Sequence, residues 1–204
     1  GIERFAFFNT ARSLYDEAMA HNDYQIGRLV ERLKERGEWE NTLFIVAADH
    51  GNSHALGLFD TLPTEWSPIF RSAVTLIPLI MVWPGHILPA QRFRDPVSMI
   101  DMLPTILGLG DLPPPHPTQG QSLVPLLQGR EGWKPRPVML EEFYVHAPAR
   151  KMFGEIDVID GRWGASLEPL SDPQGEERPE RARRPAPLRL YDLWNDPQYL
   201  NSLN

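Results

Sequence analysis

Residues 41–51 read Asn-Thr-Leu-Phe-Ile-Val-Ala-Ala-Asp-His-Gly. Residues 43–48 form an unbroken apolar run, rich in Phe, Ile and Val. A run that short, apolar on both faces, suits a strand buried in the middle of a parallel sheet. It stops on Asp49, His50 and Gly51. A buried strand has no use for a carboxylate beside an imidazole. The carboxyl end of a strand does, because ligands of open α/β sheets bind there. Asp49 offers a hard anionic oxygen and His50 a neutral nitrogen, a workable pair of metal ligands. Gly51 permits a sharp turn that keeps the chain clear of such a site. Taken alone, the dipeptide also reads as a polar strand-to-loop turn.

Upstream, Thr10 can cap a long helix running to Arg36. Tyr15, Ala18, Asn22, Ile26, Leu29 and Leu33 fall near helical spacing and predict one buried stripe. Gly37 supplies the stop, and Gly27, costly inside a helix, suggests close packing of helix on sheet. Residues 1–9 start without a capping signal. They are expected to be a cut through something larger, with a strand remnant at Phe5 to Phe8. Helix, short loop and buried strand follow α/β grammar.

Downstream, residues 52–71 are a long loop containing Pro63 and Pro68, of the kind that is often functional. A second apolar run is interrupted by Pro78, so its strand covers residues 79–83 and turns at Pro84-Gly85. Residues 98–109 read as helical, with Asp101 as N-cap and Pro104 harmless in the first turn. A proline-rich connector at 111–119 and a short helix or turn at 122–127 follow. Strands are expected over 138–144, 156–163 and 188–193, with an exposed, charged loop at 171–187. The pattern divides into residues 1–129, part of an α/β domain, and 130–204, a small subdomain of short antiparallel strands.

Composition sets outer limits. The 204 residues suffice for one ordinary core, or one core plus an appendage. A net charge of −7 argues against a nucleic-acid partner. No apolar run reaches membrane-spanning length, and the first residues do not read as a signal peptide. With no cysteine, the fold needs no disulfide, and periplasmic, secreted and cytoplasmic settings all stay open.

The motifs in their order are similar to those of the sulfatase family, within the alkaline-phosphatase-like superfamily. The stretch at 41–51 resembles the family's metal strand. Tyr15 through Gly27 looks like the helix before it. Pro78-Leu79-Ile80 with Trp83-Pro84-Gly85 resembles its Val-Pro-Leu-Ile…Pro-Gly strand. Val97-Ser98 and Asp101-Met102-Leu103-Pro104-Thr105 resemble its Val-Ser…Asp-x-x-Pro-Thr segment. Gly120-Gln121-Ser122-Leu123 resembles Gly-x-Ser-Leu. Leu190-Tyr191-Asp192-Leu193 with Asn195-Asp196-Pro197 is similar to the family's carboxy-terminal signature. The resemblance implies part of a three-layer α/β/α sandwich with a smaller α+β subdomain. It implies an arylsulfatase-like hydrolase of a small-molecule or glycan sulfate ester. It also implies a divalent metal, calcium, held in part by Asp49 and His50, and a formylglycine nucleophile made from a Cys/Ser-x-Pro-x-Arg motif.

That motif is absent from this chain, as is the family's amino-terminal Asp pair. Both are expected upstream, so the missing amino-terminal half of the same protein is an expected partner. The family's lysine after the Asp-His/Asn-Gly loop is absent too. Arg71, the one Lys or Arg in residues 52–78, could take its role or be a plain surface residue, and His54 is a candidate for binding the leaving-group oxygen. Two other readings stay open. One is a phosphoesterase or phosphoethanolamine-type transferase of the same superfamily, with zinc or manganese. The other is a non-catalytic relative that binds a sulfated glycan or a partner.

Overall fold

The structure is a computed structural model describing residues 2–51, 75–114, 116–146, 151–167, 188–196 and 202–203. The chain forms two compact units, residues 1–91 with 127–129, and residues 92–126 with 130–204.

The first unit opens on helix α1, Ile2–Glu35. The expected strand at Phe5 to Phe8 is helical instead, and Thr10 lies inside the helix rather than capping it. No proline interrupts residues 1–36, so nothing breaks the helix before Gly37. There the chain turns left-handed, with φ +68 at Gly37. The Gly37 N–H bonds the Lys34 carbonyl at 2.9 Å and the Glu38 N–H bonds the Leu33 carbonyl at 2.9 Å. This is the Schellman pattern, which satisfies helix-end carbonyls otherwise left without donors.

The expected buried stripe is only partly realised. Ile26, Val30 and Leu33 are half-buried, while Tyr15, Ala18, Asn22 and Leu29 are exposed. A Cβ at Gly27 would meet nothing within 4 Å, so close packing does not explain that glycine here. A short 3₁₀ turn, Trp39–Asn41, leads from helix to sheet. The Trp39 and Phe44 rings lie 5.8 Å apart, and the Thr42 hydroxyl donates to the Glu38 carbonyl at 2.8 Å.

Strand β1, Phe44–Ala47, pairs with β2, Leu79–Val82, with Phe44 opposite Val82 and Ala47 opposite Leu79. The pairing is antiparallel, which corrects the expectation of a parallel neighbour. An apolar run encodes cover on both faces but not the direction of its partner. Its cover is also partial, because Phe44, Ile45 and Val46 are half-buried. After β2 the chain turns at Gly85, φ +75, where the N–H groups of His86 and Ile87 both reach the Trp83 carbonyl.

In the second unit, a 3₁₀ turn at Met99–Asp101 runs straight into helix α2, Met102–Leu109. Asp101 does not cap α2 with its side chain, as the sequence suggested. It reaches back to accept from the Ser98 N–H at 3.0 Å, one half of a capping box. The same carboxylate accepts from the Gln121 N–H at 2.7 Å and from Arg136 at 2.6 Å. The fully buried Thr105 donates to the Asp101 carbonyl at 2.6 Å and accepts from the Leu123 N–H at 2.9 Å. At Gly120, a Cβ would stand 1.9 Å from the Ile100 carbonyl oxygen, so only glycine lets the two backbones meet. Short helix α3, Val124–Leu127, follows this knot.

Strands β3 (Val138–His146), β4 (Lys151–Asp160), β5 (Trp163–Leu167) and β6 (Leu188–Asp192) form an antiparallel sheet in sequence order. The single strand expected over 156–163 is really the end of β4, a two-residue turn and the first residue of β5. Asp160 pairs with Trp163 across that turn, and Gly161 takes φ +55, as the first position of a tight hairpin requires. Val138, Ile159 and Tyr191 are buried on one face, where Asp157 stands opposite Ser166. Met139, Trp163, Leu188 and Leu190 are exposed on the other. The molecule is a mixed α/β fold of antiparallel sheets and helices. Among the described residues no helix is long and apolar enough to cross a membrane.

Candidate functional site

Asp49 and His50 follow the carboxyl end of β1, two and three residues beyond Ala47. The sequence places them there for a physical reason. The strand needs an apolar run, and its end is the first position where a polar pair escapes burial. Both side chains are open, 87% exposed for Asp49 and 69% for His50.

The pair is internally ordered. The His50 N–H donates to Asp49 Oδ1 at 2.8 Å. That bond, followed by the charge of the neighbouring imidazole, holds the Asp49 carboxyl below the usual carboxylate range. Asp49 therefore stays ionised, as a metal ligand must. His50 Nδ1 lies 2.7 Å from the Gly51 carbonyl oxygen. A carbonyl only accepts, so Nδ1 carries a proton, and in the neutral ring Nε2 keeps its lone pair. Nε2 is 3.6 Å from Asp49 Oδ2, so one small cation could reach both. Metal-binding histidines are commonly fixed in this way, one ring nitrogen held by a carbonyl and the other free. Among the described residues, no group of three or more His, Cys, Asp or Glu could hold a metal. The pair offers one carboxylate and one imidazole at the strand end. His54 and Arg71 lie outside the described residues.

Two ion pairs escaped the sequence reading. Asp101, 3% exposed, binds Arg136 across 35 positions of chain. Asp192, 8% exposed, binds Arg162 through both carboxylate oxygens. The Arg162 bond, helped by the Asn195 side chain and the Trp194 N–H, pulls the Asp192 carboxyl down to about 2, against the opposing effect of burial. Both aspartates stand in the motifs quoted above. Their arginines carry no local signal, because the contacts form only when distant turns are brought together.

Fold, strand-end pair and motif knot together define an alkaline-phosphatase-like α/β protein. The sequence model of the Sulfatase family matches residues 3–112, more than half of the chain. That of N-sulphoglucosamine sulphohydrolase, C-terminal, matches residues 69–163. The chain belongs to the sulfatase family. Human arylsulfatase D is 30% identical in an alignment 129 residues long that covers 58% of this chain and 22% of that protein. Human arylsulfatase A is 28% identical over 201 residues, 92% of this chain and 38% of that protein. The chain thus spans well under half the length of these relatives. A solved structure in complex with its substrate D-glucosamine-2-N,6-O-disulfate superposes with a TM-score of 0.60 at 22% identity, covering 89% of this chain and 33% of its own. At that identity the likeness speaks for the fold alone.

Proposed function

We propose that this chain is the carboxy-terminal part of a sulfuric ester hydrolase, arylsulfatase-like, acting on a small-molecule or glycan sulfate ester. In this reading residues 1–129 belong to the catalytic α/β domain and 130–204 to its small carboxy-terminal subdomain. The observation that carries it is the strand-end pair, an exposed Asp49 beside a His50 whose Nδ1 is held by the Gly51 carbonyl. The sugar-sulfate name of the second family model favours a glycan substrate.

Asp49 and His50 would contribute an oxygen and a nitrogen to a divalent cation, calcium in the family's usual form. When bound, such a cation stabilises charge developing on the sulfate oxygens as a Lewis acid. Asp49 holds its charge without a proton to lose, and Gly51 fixes the imidazole so that its nitrogen needs no reorientation. His54 is proposed to bind the leaving-group oxygen, and Arg71 to grip the sulfate in place of the family's lysine. The nucleophile, a formylglycine, would come from residues upstream of this chain.

A second reading follows from His50 itself. Imidazole suits zinc or manganese better than calcium, which prefers oxygen. That donor favours the phosphoesterase or transferase alternative. The test is expression of the protein extended upstream, together with a formylglycine-generating enzyme, and assay on aryl sulfate and aryl phosphate. Sulfate turnover is expected from the extended protein and not from the 204-residue chain. Asp49→Ala should lower it on the order of 100-fold or more. Phosphate turnover without sulfate turnover would select the second reading. Metal-dependent turnover by the 204-residue chain would refute the division of labour.

A further inference from the structure

Two indoles and one guanidinium meet where the β4–β5 turn approaches the end of β6. The Arg162 guanidinium carbon lies 4.8 Å from the Trp163 ring centroid and 5.8 Å from that of Trp194. Both distances fall within cation–π range. Trp163 is 51% exposed and Trp194 is 67% exposed, a large apolar area for two neighbouring side chains. We propose that Arg162, Trp163 and Trp194 form a platform that binds a sulfated saccharide.

The platform is built before any ligand arrives. Arg162 donates from Nε and from a terminal nitrogen to Asp192. Asp192 is held in turn by the Asn195 side chain at 2.7 Å and the Trp194 N–H at 3.3 Å. The Leu193 N–H ties the same turn to the Arg162 carbonyl at 2.8 Å. A cation fixed this way loses little freedom on binding. Guanidinium carries five N–H donors in a planar fork, more than Asp192 engages, and Arg162 remains 41% exposed. The remaining donors match the oxygens of a sulfate ester.

Each indole offers a flat apolar face and an N–H at its edge. The axial C–H face of a pyranose ring is the complementary surface. A sugar sulfate satisfies both demands at once, whereas inorganic sulfate uses only the cation and a plain sugar only the rings. The inference rests on the reading of this protein as a sulfatase of glycan esters. It adds a place in the four-stranded-sheet unit where such a chain is held.

The test is calorimetric titration of the 204-residue protein with a heparin tetrasaccharide and with its desulfated counterpart. The sulfated sugar is expected to bind and the desulfated one to bind about tenfold more weakly. Trp163→Ala and Trp194→Ala should each weaken binding by about tenfold, the factor that corresponds to roughly 1.4 kcal/mol. Both side chains are exposed, so these variants should fold, and Trp194→Phe should restore most of the loss. Tyr24→Ala, an exposed aromatic on α1, should change nothing. The proposal is overturned if the tetrasaccharide fails to bind, if both tryptophan variants bind like the parent, or if the desulfated sugar binds equally well. Activity assays keep the two readings apart. An extended protein silent on aryl sulfate, with the saccharide still held at these tryptophans, removes the sulfatase reading alone. An active protein without saccharide binding removes the platform alone.

Discussion

Asp101 and Asp49 are the same residue in opposite circumstances. Asp101 is 3% exposed and takes hydrogen bonds from the Ser98 N–H, the Gln121 N–H and the Arg136 guanidinium. The Asp49 side chain is 87% exposed and is bonded to its own neighbour, His50. A carboxylate surrounded by donors acts as a fastener, and its lone pairs are already in use. A carboxylate at an open strand end keeps lone pairs open to solvent. The difference makes the first region a fastener and leaves the second free for the chemistry proposed above.

The sharpest way to break the comparison is at the centre of the fastener. Gly120→Ala puts a Cβ 1.9 Å from the Ile100 carbonyl oxygen, and backbone cannot move aside as a flexible side chain would. Chemical denaturation should show a loss of about 4 kcal/mol or more, the range reserved for severe steric conflict. A loss within ordinary surface scatter would mean that the two turns are not locked together. Next comes Asp101→Ala, which strands Arg136 and two backbone donors. It should cost about 3 kcal/mol in the same measurement. An unchanged midpoint would show that water replaces the carboxylate at no cost.

The third test uses pH. The Asp192 carboxyl lies near 2 in the folded protein against 3.8 in the unfolded chain. A depressed value means that its contribution is fully present above about pH 3.8 and fades as pH falls toward 2. Asp192→Asn should flatten the thermal midpoint across that window, and an acid profile identical to the parent's would remove Asp192 from the account. The smallest effect belongs to the open region. Asp49→Ala should leave the denaturation midpoint of the chain unmoved, although it should silence the proposed extended enzyme. A large drop in stability would make Asp49 a fastener as well, and dissolve the contrast.

Much of this was legible in the residues. The apolar run before Asp49 placed β1 and its strand-end pair, because a both-faces-apolar segment must stop where polar groups begin. Pro78 and Pro84-Gly85 bracketed β2 closely. The β4–β5 hairpin was missed, read as one strand over 156–163, although Asp160-Gly161 is a turn signal inside that run. The start of α1 was misread because Phe5, Phe7 and Phe8 look strand-like by composition, whereas the lack of any breaker decides. Strand direction was not legible, since side-chain pattern is blind to it. Nor were the Arg136 and Arg162 partnerships. Arg136 lies between two prolines and Arg162 between Gly161 and Trp163, and nothing in either neighbourhood names the distant carboxylate that the fold brings to it.

The way Asp101 and Thr105 read their partners has a consequence for how this sequence can drift. Both reach backbone N–H groups, those of Gln121 and Leu123, and not the side chains. What is recognised is the course of the main chain, which every amino acid but proline can supply. Position 121 can therefore wander among most residue types while the contact survives. Position 120, one peptide away, admits a single one. Neighbouring letters of one short motif would then record very different selective pressures, the invariant glycine marking the close approach and its variable neighbour marking the hydrogen bond.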